Sequence, residues 1–287
     1  MVNTLKTKGY QIFKLKNTSL VEQLKNCVSQ VNFEFANNLN REICNYDTSL
    51  FETDLNKKQK LFDSVFTIVK DDLNGIMPGY KPIMINYWTK KPGNGEVEIH
   101  QNWSHIDEAE NRSYTIWIPL QNTDHQNGTM HVIPYSHTIF TKPRGLNSSD
   151  YLFRALPQSL LYKLHIEIKL KVGEFVVFDD ALLHYTSRNR SMANRDAVQL
   201  VVVPEKAQAK FYHKNWETGK IDEYNTDADF YRNLSVGSAS SHVSEKAVKF
   251  RELDDTKPNR LVGVIKMLTN RLFLYHNIHE EYSPSVR

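Results

Sequence analysis

The chain has 287 residues, of which 40% are hydrophobic and 11% aromatic, so it can fill a sizeable core and is not disordered throughout. Its 36 basic and 33 acidic residues leave a formal net charge of only +3. This balance gives no case for nucleic acid or an anionic membrane as the main partner.

The cysteine content and the hydropathy pattern indicate a reducing compartment. Cys27 and Cys44 have neither the number nor the spacing of a disulfide framework or a zinc site. The N-terminus, MVNTLKTKGYQIF, lacks an apolar run of signal-peptide length, and no later segment approaches a membrane span. We therefore expect a cytoplasmic protein without a membrane partner.

The first part of the chain predicts one strand followed by helices. The strand covers Tyr10 to Leu15, and the stretch SLVEQLKNCVSQVNFEFANNL then has apolar residues at roughly helical spacing, with Ser19 as the predicted N-cap. Residues 54–73 predict a further helix that ends near Gly75.

From residue 80 to residue 204, short apolar or alternating runs are divided by Gly, Pro and Asn. The runs are KPIMINYWTKK, EVEIHQNW, SYTIWIPL, TMHVIPYSH, HIEIKL, EFVVFDD and AVQLVVVP. Evenly spaced strands with such turn signals predict an all-β sandwich or barrel. No helical pattern of useful length alternates with them, which argues against a parallel βαβ sheet. The predicted fold class is mainly β with flanking helices.

The tail after Pro204 is more polar, contains several aromatic residues and ends in the amphipathic stretch RLVGVIKMLTNRLFLY. We predict one domain over residues 1–205 and a partly helical extension over residues 206–287 that packs on the core or over its mouth. The Ser-rich segment SVGSASSHVS within the extension fits a surface loop better than a flexible lid.

The segment EIHQNWSHIDE, residues 98–108, contains two histidines that could each begin a metal site. His100 is followed two residues later by Asn102, and His105 is followed two residues later by Asp107. A His-x-Asp pair is half of a non-haem iron site. In the preceding EVEIH, strand alternation would place Glu96, Glu98 and His100 on one face.

A second histidine and an arginine follow much later, in FVVFDDALLHYTSRNRSMANRDAVQLVVV. His184 is predicted to end an apolar strand, and Arg195 to open the next one. An early His-x-acid pair with a late lone His can bind Fe(II) on one face, leaving three positions for 2-oxoglutarate and O₂. The arginine can then take the distal carboxylate of 2-oxoglutarate in a two-pronged pair that Lys reproduces poorly.

In these segments the chain resembles the phytanoyl-CoA dioxygenase family of Fe(II)/2-oxoglutarate oxygenases, especially its bacterial members. The motifs are HQNWSHIDE, where the family commonly shows HQDW; IWIPL followed by QNGTMHVIPYSH; Arg144 with Gly145; GEFVVFDDALLH; and the TSRNRS…R run. The resemblance extends from GYQIF to about Pro204. It implies a double-stranded β-helix (jelly-roll) core, with Fe(II) and 2-oxoglutarate as cofactors and O₂ as co-substrate.

The resemblance places His100 and His184 on the two iron histidines and Arg195 on the 2-oxoglutarate arginine. Thr186 falls where a hydroxyl helps to hold the same carboxylate. Further positions that line the cofactor in the family correspond to Gln101 and Trp117.

Asn102 departs from the family, because it stands where the family has the metal-binding Asp. The frame of His100 and Asn102 is favoured over that of His105 and Asp107, since Gln101 and Trp103 match only there. Four interpretations remain open. Asn102 binds weakly, Asp107 or another carboxylate reaches the metal, a halide takes the position as in related halogenases, or the site only binds a ligand. An Asn side chain would fill the volume that a chloride needs, which weakens the third.

The sequence therefore predicts an oxygenase that hydroxylates an unactivated C–H bond of a small metabolite or biosynthetic intermediate. The alternatives are a halogenase or another altered oxidase of the same family, or a non-catalytic jelly-roll binding protein with a degraded iron site. Nucleophile-elbow, Walker, dinucleotide and HExxH motifs are absent from the sequence.

Overall fold

The computed structural model of the protein describes residues 3–33, 46–139, 141, 143–145, 153, 156–215, 217–218, 220–235 and 249–251. Its α-helices are α1 (Asn3–Lys8), α2 (Ser19–Val31), α3 (Leu55–Ile76), α4 (Gln158–Lys163) and α5 (Ala228–Asn233). Its strands are β1 (Tyr10–Lys14), β2 (Asp47–Thr48), β3 (Tyr80–Lys90), β4 (Val97–His100), β5 (Tyr114–Pro119), β6 (Met130–Val132), β7 (Ile166–Ile168), β8 (Glu174–Asp179), β9 (His184–Thr186), β10 (Arg195–Pro204), β11 (Lys210–Lys214), β12 (Ile221–Asn225) and β13 (Lys249–Arg251).

The strands form antiparallel sheets, as the alternating runs predicted. A large sheet has the strand order β1-β8-β5-β10-β3-β2, and a small sheet has the order β4-β9-β6-β7. The strands β11, β12 and β13 form a third sheet after the core. The mainly β jelly-roll fold with flanking helices is therefore confirmed.

The central strands β5, β8 and β10 of the large sheet are buried on both faces, which explains why they are rich in apolar residues. On β10, Val198 and Leu200 belong to the apolar cluster that packs against α2 and α3. Ala197, which points to the other side, packs with Trp117 of the large sheet and Val132 of the small sheet. The molecule is thus layered as helices, large sheet and small sheet, with the candidate residues between the two sheets.

The helices begin where local hydrogen bonds allow it. The Asp54 carboxylate caps α3 by accepting from the backbone N–H of Asn56 at 2.9 Å, as expected for an N-cap acid. The prediction of Ser19 as the cap of α2 is wrong, because Thr18 precedes the helix and Asn17 accepts from the backbone N–H of Ser19. The predicted continuation of α2 beyond Phe33 lies outside the described residues.

Two local expectations at the candidate site are also wrong. His184 does not end an apolar strand: β8 ends at Asp179, and His184 begins the separate strand β9. The strict alternation expected in EVEIH is interrupted by a register shift, since Val97 pairs with Thr186 and His100 pairs with His184. Four residues of β4 therefore span three of β9, which is a bulge that places Val97 on the side of His100.

The described part of the extension packs on the end of the large sheet. Phe211 of β11 and Tyr231 of α5 share an apolar cluster with Ile83 and Val203. The amphipathic stretch RLVGVIKMLTNRLFLY and most of the Ser-rich segment lie outside the described residues, so the division into 1–205 and 206–287 stays a prediction. Within the part of the chain that is described, no helix has the length and apolar character needed to cross a bilayer.

Candidate metal and cofactor site

The pairing of β4 with β9 brings the two predicted iron histidines together. His100 and His184 are opposite each other in the ladder, and their ring centroids lie 4.2 Å apart. The ring of Phe178, from the large sheet, lies 4.7 Å from that of His184. The two imidazoles therefore project side by side into the space between the sheets.

Backbone hydrogen bonds fix which nitrogen of each ring is available. Nδ1 of His100 lies 2.8 Å from the Glu98 carbonyl, and Nδ1 of His184 lies 2.9 Å from the Leu182 carbonyl. Each Nδ1 must carry the proton to donate to a carbonyl, so each Nε2 keeps its lone pair, which is the arrangement of metal-binding histidines. Neither Nε2 forms a hydrogen bond within the described residues.

The electrostatic surroundings keep both rings neutral. Burial lowers the pKa of His100. Burial, followed by the proximity of His100, lowers the pKa of His184 to about 3. Two neutral imidazoles with free Nε2 atoms fit a divalent ion such as Fe(II).

Asn102 leaves the end of β4 and is held by polar contacts on one side. Its Nδ2 donates to Thr115 Oγ1 at 2.7 Å and to Asp180 Oδ1 at 3.1 Å. Its backbone N–H donates to the Asp180 carbonyl at 3.0 Å. No group in the described residues donates to its Oδ1, which leaves that oxygen available as a neutral ligand.

His105 and Asp107, the residues of the alternative frame, contact different parts of the structure. His105 Nδ1 lies 3.3 Å from Asp180 Oδ2, and its ring packs edge-on against Tyr231. The Asp107 carboxylate accepts from the backbone N–H of Ala109, so it shapes the turn after the motif. Among the described residues, no three His, Cys, Asp or Glu side chains are grouped so that they could hold a metal ion. Asp107 is therefore not grouped with His100 and His184 in the described residues.

Arg195 begins β10, as the sequence predicted, and its side chain is buried. Its Nε and Nη1 atoms have no hydrogen-bond partner within the described residues, and burial lowers its pKa to about 10. Its guanidinium lies 5.2 Å from the ring centroid of Trp117, within cation–π distance. A buried guanidinium with unused donors fits a carboxylate of 2-oxoglutarate.

Lys90 is a second buried cation at this position, and the sequence reasoning missed it. It pairs directly with Arg195 across β3 and β10. Its Nζ donates to Thr186 Oγ1 at 2.6 Å and to the Ser187 carbonyl at 2.8 Å. Burial and the charge of Arg195 lower the pKa of Lys90 well below its usual range. In the sequence, Lys90 is recognisable only as a Lys at the C-terminal end of the mainly apolar and aromatic strand β3.

Gln101 and Arg144 hold the segment that carries Asn102. Gln101 is buried, and its Nε2 donates to the Ala181 carbonyl at 2.5 Å, which ties β4 to the turn before His184. Arg144 donates through Nε to the Asn102 carbonyl at 2.7 Å and through Nη1 to Glu108 at 2.8 Å. Arg144 therefore holds the segment that carries Asn102 in place.

Comparisons with known proteins identify the family of the chain. The family model described as phytanoyl-CoA dioxygenase (PhyH) matches residues 22–197. A phytanoyl-CoA dioxygenase domain-containing protein 1 homolog of Dictyostelium discoideum is 25% identical over 166 residues, which cover 55% of this chain and 56% of that protein. The phytanoyl-CoA dioxygenase of Arabidopsis thaliana is 28% identical over 173 residues, covering 58% and 59%. The chain thus spans little more than half the length of these relatives.

A structural match supports the fold. The non-haem alpha-ketoglutarate-dependent carbocyclase SnoK from nogalamycin biosynthesis has a TM-score of 0.55 and 14% identity, with 72% of this chain and 83% of that chain covered. The match of the family model over more than half of the residues decides the assignment. The chain belongs to the phytanoyl-CoA dioxygenase family of Fe(II)/2-oxoglutarate-dependent oxygenases, as its motifs predicted.

Proposed function

We propose that this protein uses Fe(II), 2-oxoglutarate and O₂ to hydroxylate an unactivated C–H bond of a small metabolite or biosynthetic intermediate. The observation that carries the proposal is the buried Arg195, whose Nε and Nη1 atoms have no partner in the described residues. A buried charged donor left without a hydrogen-bond partner costs about 1–3 kcal/mol or more, so these two donors favour a ligand anion. A protein that had lost its cofactor would have no use for them.

The metal would be held by His100 and His184 through Nε2, with the Asn102 amide oxygen as the third protein ligand. Two histidines and a neutral oxygen leave more net positive charge on the ion than two histidines and a carboxylate. The affinity for the metal alone is therefore expected to be modest. The dianionic 2-oxoglutarate, which brings its own charge, would raise it.

The distal carboxylate of 2-oxoglutarate would be held by Arg195, Lys90 and Thr186. Lys90 already donates to the oxygen of Thr186, which directs the hydroxyl hydrogen of Thr186 elsewhere and leaves it to donate to a carboxylate. Trp117 restricts the guanidinium from one side. These contacts fix the orientation of the cofactor with respect to the two histidines.

When bound, Fe(II) and 2-oxoglutarate activate O₂ for oxidation of a substrate C–H bond, and 2-oxoglutarate is converted to succinate and CO₂. The protein positions the substrate and excludes water from this centre. Burial of His184, Lys90 and Arg195 between the sheets provides the dry surroundings.

The competing functions have less support. A halogenase needs space for a halide beside the histidines, whereas Asn102 has a side chain at that position and is held there by Thr115 and Asp180. A non-catalytic binding protein would not require the pair of free Nε2 atoms together with Arg195. Dependence of the product on chloride would distinguish halogenation from hydroxylation.

The proposal is tested by anaerobic titration with Fe(II) and 2-oxoglutarate, following the visible charge-transfer band of the chelate. We expect a band in the wild-type protein and in Asp107→Ala, and none in His184→Ala or Arg195→Ala at the same concentrations. Arg190→Ala is the matched control, because Arg190 is exposed and close to Arg195 in sequence. Absence of the band in the wild-type protein, with its appearance only in Asn102→Asp, would contradict the proposal.

A further inference from the structure

Beside Asn102 lies a buried carboxylate that the proposed chemistry does not use. Asp180 is 0% exposed and occupies the turn between β8 and His184. Its Oδ1 accepts from Thr115 Oγ1 at 2.6 Å and from Asn102 Nδ2 at 3.1 Å. Its backbone carbonyl accepts from the Asn102 backbone N–H. Asp180 therefore contacts both the side chain and the backbone of Asn102.

These contacts determine which end of the Asn102 amide faces Asp180. A carboxylate oxygen accepts hydrogen bonds and repels another oxygen, so the amide must present its nitrogen to Asp180. The amide oxygen and nitrogen point to different sides of the same planar group. Oδ1 is thus turned away from Asp180 and takes no hydrogen bond within the described residues. Without Asp180, the amide could reverse and present N–H groups, which cannot bind a metal.

We propose that Asp180 is a positioning residue of the metal site, which fixes Asn102 with its oxygen toward the metal and supplies the negative charge that the ligand itself lacks. The inference rests on the proposed function. A hydrogen bond from the amide N–H to a carboxylate increases the negative charge on the amide oxygen, because the two ends of the amide are conjugated. In surroundings without water this charge acts on a cation more strongly than it would in bulk solvent.

An ordinary structural explanation of Asp180 makes a different prediction. Asp180 also lies 3.3 Å from His105 Nδ1, so it could simply anchor the turn and the motif segment. In that case its removal would reduce stability whatever residue stands at 102. If Asp180 instead provides charge and orientation to Asn102, its removal should weaken metal binding only while residue 102 is neutral.

The experiment is a double-mutant cycle on metal binding, with Co(II) titrated into the metal-free protein and followed by its visible absorption. Asp180→Asn is expected to weaken Co(II) binding by about 10- to 100-fold, the usual effect of removing a residue that supports a ligand. In the Asn102→Asp background, the same Asp180→Asn change should not weaken Co(II) binding, because residue 102 then carries its own charge and the change removes the repulsion between two adjacent carboxylates. The Co(II) absorption should change in Asp180→Asn and return in the double variant.

The matched control is Asp179→Asn, an identical chemical change at the neighbouring buried residue. Asp179 accepts from the Ala181 backbone N–H and lies 3.8 Å from Arg112. It should keep wild-type Co(II) affinity, and unfolding of each metal-free variant shows whether it is folded. Two outcomes would overturn this inference but not the proposed function. One is equal Co(II) affinity in Asp180→Asn and wild type, and the other is an equal loss of Co(II) affinity in both backgrounds. A wild-type protein that binds no Co(II) would overturn the proposed function as well.

Discussion

Lys90 and Arg195 lie opposite each other on neighbouring strands, and their charges repel unless an anion lies near both. We predict that Lys90→Met raises the dissociation constant for 2-oxoglutarate by about 10-fold, since a hydrogen bond to a charged group contributes roughly 1.5–3 kcal/mol. The affinity for the metal alone should not change. Calorimetric titration of the anaerobic protein measures both.

The neighbouring Lys91 is the control for that variant. Lys91 is exposed and pairs with Asp47 at the surface, so Lys91→Met should bind 2-oxoglutarate as the wild type does. Unchanged 2-oxoglutarate affinity in Lys90→Met would exclude Lys90 from the cofactor site.

His131 contributes to the pH dependence of the stability of the fold. Burial, with a smaller contribution from the charge of His165, lowers its pKa from 6.5 to about 4. The unfolded chain therefore binds a proton that the folded chain does not, between about pH 6.5 and pH 4. The stabilisation is complete above this window and is lost as pH falls through it, by up to about 3 kcal/mol.

Replacing His131 should flatten this profile. In His131→Phe the ring can still stack on Tyr185, whose centroid lies 4.4 Å away. Urea unfolding of the metal-free protein at pH 7 and pH 5 should show a smaller loss of unfolding free energy in His131→Phe than in wild type. The exposed His125→Gln should lose as much as the wild type does. Parallel profiles for all three proteins would contradict the prediction.

At the scale of residues, the sequence predicted the groups that belong to recognisable motifs. His100 and His184 come together, and Arg195 is buried with unused donors. Lys90 and Asp180 were missed because their significance depends on partners from other strands. Lys90 reaches Thr186 across the two sheets, and Asp180 contacts Asn102 in the segment after β4. A local sequence pattern does not predict contacts between residues of different strands.

Among the structural elements, the segment between β4 and β5 has little regular structure and depends on Arg144 for its position. Arg144 forms a buried two-pronged pair with the Glu108 carboxylate and also donates to the Asn102 carbonyl. Gly145 comes so close to β11 that an added Cβ would lie 2.6 Å from the Tyr212 carbonyl oxygen. The absence of a side chain at Gly145 therefore allows this segment to pack directly against β11.

We predict that Arg144→Met lowers the free energy of unfolding by about 3–5 kcal/mol, because it leaves Glu108 buried without its partner. Chemical denaturation of the metal-free protein measures this. Lys25→Met is the comparison: it breaks the exposed pair with Glu22 and should cost less than about 1 kcal/mol. Equal losses of unfolding free energy in the two variants would show that the contacts of Arg144 contribute no more to stability than an exposed ion pair.

The larger elements were predictable, whereas their junctions were not. The alternating runs correspond to β3, β5, β8 and β10 within a few residues. The bulge in β4 and the start of β9 at His184 are consequences of the pairing between these two strands. A bulge changes which side chains share a face. The alternation in EVEIH alone therefore predicted the wrong residues on the face of His100.

At the scale of the whole molecule, the site joins the two sheets. His100 and His184 belong to the small sheet, while Lys90 and Arg195 belong to the large sheet. In the described residues the hydrogen bond from Lys90 to Thr186 already crosses between them. A metal ion and 2-oxoglutarate bound together would therefore connect both halves of the jelly roll, and their binding should be coupled to its global stability.

We predict that Ni(II), used as a redox-inert probe, and 2-oxoglutarate together raise the unfolding temperature by more than the sum of their separate effects. A ligand at 100 times its dissociation constant stabilises the folded state by about 2.7 kcal/mol. Arg195→Ala should keep the increase caused by Ni(II) alone and lose the further increase from 2-oxoglutarate, whereas Arg190→Ala should keep both. Thermal unfolding of the three proteins measures this. If 2-oxoglutarate stabilised Arg195→Ala as much as it stabilises the wild type, the cofactor would have to bind without contacting Arg195. The prediction that residues of both sheets form the cofactor site would then be wrong.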